Sequence, residues 1–164
     1  MIPYLANLED SSLNQWLNSL LWGFPCAEVF HIVMTGGFFG AVLLMDLRLL
    51  GLHRLFSLDA LMKRLVPYIG LLFAGVLISG CLLLLFMPAE YAGNPALQLK
   101  FVLILIGGLN ALLMHKILLR NYAVWPEALP MPIAVKLGAG FSLLVWMGCL
   151  ACGRMVAYFY SYGF

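Results

Sequence analysis

Three histidines, a lysine and an arginine fall inside or at the rim of long apolar runs in this chain: His31, His53, His115, Lys100 and Arg154. An ionisable side chain placed in lipid costs at least about 2.5 kcal/mol, so each such residue needs a partner or a task. A neutral imidazole there can ligate a metal through one ring nitrogen, or it can hydrogen-bond between helices. Lys100 and Arg154 can meet an anion, or run out to the headgroups on their own apolar stems. Glu28, Asp46 and Arg48 complete the set. Asp46, paired with Arg48, Lys116 or His115, reads as a structural group or a proton carrier. No triad of nucleophile, base and orienting acid is visible, nor a phosphate-cradling glycine loop, so an independent enzyme is not expected.

The elements that must position these groups follow from composition. Of 164 residues, 64% are hydrophobic and 10% charged, and the mean hydropathy is +1.01. One water-soluble core of this size cannot hide so much apolar surface, so the solvent is lipid. The formal charge of +2 gives no reason to expect nucleic acid as a partner. Four apolar blocks, about 25–52, 66–87, 96–119 and 133–160, each cover the roughly 20 residues a membrane core requires. Ser57-Leu58-Asp59, Pro88 through Pro95 and Trp125 through Pro132 separate them. Before the first block, Leu13, Trp16, Leu17, Leu20 and Leu21 recur at helical spacing, which predicts a short interfacial helix over about 11–22 with Trp16 and Trp22 at the headgroups. The start lacks the pattern of a cleaved signal, so it is expected to be kept. The expected fold is all-α: a single integral membrane domain over 1–164, an up-down four-helix bundle in which Gly36, Gly37, Gly40, Gly107, Gly108, Gly138 and Gly140 let backbones approach.

Basic residues bracket the first connection (Arg48, Arg54, Lys63, Arg64) and the third (Lys116, Arg120, Lys136), while the second holds Glu90. That pattern places both termini on the periplasmic side of a bacterial inner membrane. Counting about 1.5 Å per residue then puts Glu28, His31, Lys100 and Arg154 near the periplasmic side, and Asp46, Arg48, His53, His115 and Lys116 near the cytoplasmic side. At about 100° per residue, His31 and Asp46 lie about 60° apart on the first helix, as do Lys100 and His115 on the third; His31 and His53 differ by about 40° if the helix stays regular. Two polar clusters at two depths are expected.

Cys26, Cys81, Cys149 and Cys152 all fall in the expected periplasmic half. With nine methionines and nearby histidines they admit copper as an alternative metal, because thiolates and thioethers favour Cu(I). The competing reading is apolar filler, since no dense methionine motif occurs.

The stretch Phe24-Pro25 through Glu28 and His31, then Asp46-Leu47-Arg48-Leu49-Leu50-Gly51, then Asn94-Pro95 with Lys100, Leu109-Asn110-Ala111 with His115, and Gly153-Arg154 with Tyr158 resembles a family of small four-helix bacterial membrane proteins of uncharacterised function. More distantly the chain is similar to copper-resistance D membrane proteins and small b-type cytochromes. The resemblance implies the bundle, and His31 and His115 as ligands of haem b, with Lys100 or Arg154 meeting propionates. The two histidines differ in depth by about 15–20 Å, too far to share one iron, which suggests two sites: His31 with Lys100 or Met155, and His115 with His53. A single haem on one histidine, or histidines that only join helices, are the alternatives. The function expected is a b-type electron-transfer subunit of a respiratory or periplasmic redox complex, in contact with lipid, a partner protein and quinone. A copper or small-solute permease and a non-catalytic assembly subunit are its rivals.

Overall fold

The computed structural model describes residues 8–52, 57–118 and 131–162, and every element among them is helical. The first, α1 (Ser12–Ser19), starts at Ser11, whose hydroxyl caps the Asn14 N–H. Trp16 and Trp22 are exposed. The Asn14 amide donates to the carbonyls of Leu85 (2.6 Å) and Phe86 (3.2 Å), and Asn18 donates to Phe86 at 3.2 Å. These carbonyls end the second span and have no helical partner of their own, so α1 acts as its cap.

Helix α2 (Gly23–Leu50) runs 28 residues. It stops at Gly51, whose φ of 84° suits glycine, and the Gly51 and Leu52 N–H groups return to Arg48 and Leu47. The regular helix therefore ends before His53, and the phase count from His31 does not extend to it. Helix α3 (Leu58–Phe86) begins earlier than the expected Val66. Ser57, one of the residues expected to break the chain, is its N-cap and accepts from the Ala60 N–H at 3.2 Å. A π-turn at Leu61–Leu65 precedes Pro67; its wider loop of backbone accommodates the ring that would otherwise end the helix. Asp59 and Lys63 pair on the exposed face at 2.9 Å.

The second connection contains a short helix, α4 (Pro88–Gly93). Asn94 then caps α5 (Pro95–Leu113), accepting from Ala96 and Leu97, and its amide donates to Val156 on the last helix at 3.1 Å. A second π-turn, Met114–Leu118, continues α5. The last helix is α6 (Ile133–Tyr162).

Four of these helices, α2, α3, α5 and α6, are long and apolar enough to cross a membrane. Large apolar side chains such as Leu71, Leu105 and Leu144 stay exposed along them, as a lipid-facing surface requires. The two hairpins α2/α3 and α5/α6 join mainly through α2 and α6, while α3 and α5 diverge. At mid-depth Phe38, Phe73 and Trp146 meet with centroids 4.7 to 6.0 Å apart, and Gly107 lies under the Trp146 ring. Of the glycines expected at crossings, Gly37, Gly107 and Gly138 face Leu72, Trp146 and Met114, whereas Gly36, Gly40, Gly108 and Gly140 face open space. Within each group, helical phase allows one member to meet the neighbouring helix. Helix α1 marks one end of the bundle, the α1 end, and Gly51 the other, the Gly51 end.

Candidate functional site

In the α1 half of the bundle, α2 carries His31 toward α3. Its Nδ1 lies 2.8 Å from the Ser79 hydroxyl. That hydroxyl in turn sits 2.6 Å from the Gly75 carbonyl, with Val76 at 3.2 Å. A serine has one hydrogen to give, and a carbonyl only accepts. The Ser79 hydrogen is thus committed to its own helix, and its oxygen accepts from His31 Nδ1–H. The Nδ1–H tautomer of His31 fits this arrangement and leaves Nε2 with its lone pair. Glycine at position 80 makes room for the ring, since a Cβ there would stand 3.3 Å from His31 Cε1. Ser79 is 1% exposed, so this orientation is held by a buried bond on a rigid helix, the arrangement that fixes ligating imidazoles.

Lys100 of α5 reaches the same region. It is half-buried, within electrostatic range of His31 and of Cys149 and Cys152. All four spans therefore contribute: His31 from α2, Ser79 and Gly80 from α3, Lys100 from α5, and the two buried thiols from α6.

The other expected site residues are placed apart. Arg154 is exposed and lies over the Tyr158 ring, 5.6 Å from its centroid; Glu28 and Met155 are exposed as well. His115 is exposed in the π-turn at the Gly51 end, about 22 Å from the level of His31 and Lys100 by helical rise. The structure does not bring those two histidines together, and His53 lies outside the described residues.

At the Gly51 end Asp46 is 5% exposed. Ser142 supplies its carboxyl with a hydrogen bond, and among the described residues its Oδ2 has no hydrogen-bond partner. Asn110 donates to the Gly138 carbonyl at 3.1 Å and so ties α5 to α6. An apolar cleft of about 400 Å³ opens at the other end, where α3 and α5 diverge, lined by Leu84, Leu85, Tyr91, Gln98 and Phe101 among others.

Ser79, Gly80 and Ser142 were not singled out in the sequence. The signal for Ser79 was present: a lone serine four residues after Gly75 and next to Gly80, inside a span of leucines and isoleucines, is the pattern of a helix contact with a hydrogen bond in it. Among the described residues no three His, Cys, Asp or Glu side chains stand close enough to hold a metal between them. No protein-family model, curated protein or solved structure matches the chain.

Proposed function

We propose that the chain is an electron-transfer subunit of a bacterial inner membrane, holding a b-type haem through His31. The observation that carries this reading is the relay from His31 through Ser79 to the Gly75 carbonyl. An imidazole serves as an axial ligand when one nitrogen is bare and the ring cannot turn, and the relay meets both conditions. The residues present fit the group in one respect: His31 would hold it through Nε2. A haem iron takes at most two protein ligands, so it does not call for the three or four side chains of a closed zinc or copper site.

When bound, the haem supplies one-electron transfer. The chain supplies the rest: His31 offers Nε2, Ser79 fixes the ring, Gly80 leaves it space, and Lys100 sets the local potential. His115 and His53 are the candidates for a second haem at the Gly51 end. The basic residues of the first and third connections support termini on the periplasmic side, with a periplasmic partner on one side of the transfer and quinone or another haem on the other.

The test is the visible spectrum of the full chain, purified after expression with haem supplied. A Soret band with sharp reduced α and β bands is expected; a colourless preparation overturns the reading. Lys100 provides a second check. Reduction adds an electron, and a cation within electrostatic range favours that more negative state. Lys100→Met should therefore lower the midpoint potential, by about 30–60 mV for a charge roughly 10 Å away. A redox titration with an unchanged or higher midpoint would remove Lys100 from the haem's surroundings.

A further inference from the structure

Lys100 brings a positive charge into the α1 half of the bundle, and among the described residues it makes no hydrogen bond or ion pair. Its ammonium lies beside Gly153 of α6, so close that a Cβ there would stand 3.6 Å from Nζ. Cys152 directly precedes that glycine, and Cys149 lies one turn before it. Both thiols are buried, at 5% and 7% exposure, and they lie within electrostatic range of Lys100 and of each other. Three residues apart on a helix, they share a face with Cβ atoms about 5–6 Å apart. An uncompensated cation at this depth is costly, and among the described residues the groups beside it that can become anionic are these two thiols.

We propose that Cys149 and Cys152 form a two-coordinate site for a soft monovalent cation, Cu(I) or its analogue Ag(I), with Lys100 as its charge partner. Binding converts two thiols into thiolates, two protons leave, and two metal–sulfur bonds form without change of oxidation state. The two negative charges are then matched by one on the metal and one on Lys100. A divalent ion would leave an excess positive charge and would seek three or four ligands, which the described residues do not bring together. Thiolate ligands select Cu(I) among the biological metals. The site requires neither His31 nor haem, so it stands or falls separately from the function proposed above.

The experiment titrates the full chain in detergent anaerobically with Cu(I) against a competing chelator, with circular dichroism as the check on folding. Wild type should bind one Cu(I) per chain, release two protons, and show two sulfur neighbours by X-ray absorption. Cys149→Ser and Cys152→Ser should each lose this binding, whereas Cys26→Ser and Cys81→Ser, at the two exposed cysteines, should keep it. Lys100→Met should weaken affinity by about tenfold or more, and Lys100→Arg should restore most of it. Absence of binding by wild type, or binding that survives folded Cys149→Ser and Cys152→Ser variants, overturns the site; an affinity unmoved by Lys100→Met overturns the charge pairing.

Discussion

Replacing His31 with alanine should abolish the Soret and α bands of the haem proposed for the α1 end, while leaving helix content as in wild type. The loss is expected to be complete because among the described residues no other imidazole lies at this depth; His115 sits about 22 Å away along the bundle. Ser79→Ala should give a graded version of the same defect. It removes the acceptor of the Nδ1 proton and lets the ring turn, and loss of such an orienting group typically costs about 10–100-fold in metal affinity. Ser79→Thr keeps a hydroxyl on the same helix and should retain more haem than Ser79→Ala. The comparison separates ligation from packing: if His31 served only to join α2 to α3, both variants would change stability and neither would change the spectrum per folded chain. Haem content and thermal stability measured on the same preparations decide it. A full wild-type spectrum in folded His31→Ala would end the assignment.

Much of the fold could be read from the chain because lipid imposes a simple requirement. Every backbone polar group must be satisfied within the segment, so four long apolar blocks have to be four helices. The termini of those helices were harder, since they depend on single hydrogen bonds. Ser57 looks like a break and is a cap; Pro67 looks like a start and is absorbed by the π-turn before it. Asn14 and Asn18 in α1 look like ordinary interfacial polar residues, yet they close the carbonyls at the end of α3.

The candidate site was legible in part. Depth counting places His31 and Lys100 at one level, because rise per residue is fixed in a regular helix. It cannot say which neighbour each side chain faces, and that is where Ser79, Gly80 and the thiol pair enter. Asp46 shows the same limit: its level was apparent, but its contact with Ser142 depends on how α2 crosses α6. Phase also fails wherever a helix stops being regular. Gly51 ends α2 before His53, and the π-turn at Met114–Leu118 changes the pitch where His115 lies.

The crossing that sets the site's dimensions is at Gly107, and Gly107→Ala should lower the apparent melting temperature measured at a fixed scan rate. A Cβ there would stand 2.8 Å from Cζ2 and 3.0 Å from Cε2 of Trp146. A flexible side chain could step aside, but this ring is 6% exposed and is held edge-on by Phe38 at 4.7 Å and Phe73 at 6.0 Å. The added methyl must therefore push α5 away from α6, and overpacking of this kind costs about 1–3 kcal/mol. Gly108→Ala is the matched control: its Cβ meets nothing within 4 Å, and alanine is the better helix former by about 1 kcal/mol, so that variant should hold or gain stability. In a Trp146→Phe background the smaller ring leaves room, and the penalty at Gly107 should shrink, a coupling that a double-mutant cycle reads directly. The effect should also reach the site. Lys100 lies two turns from Gly107 on the same face of α5, and Cys149 lies one turn from Trp146 on α6. Widening that crossing draws the ammonium away from the thiols, so Gly107→Ala should weaken Cu(I) binding in the same direction as Lys100→Met, with every ligand still present. Equal stability of the Gly107→Ala and Gly108→Ala variants would show that α5 and α6 do not cross in this register.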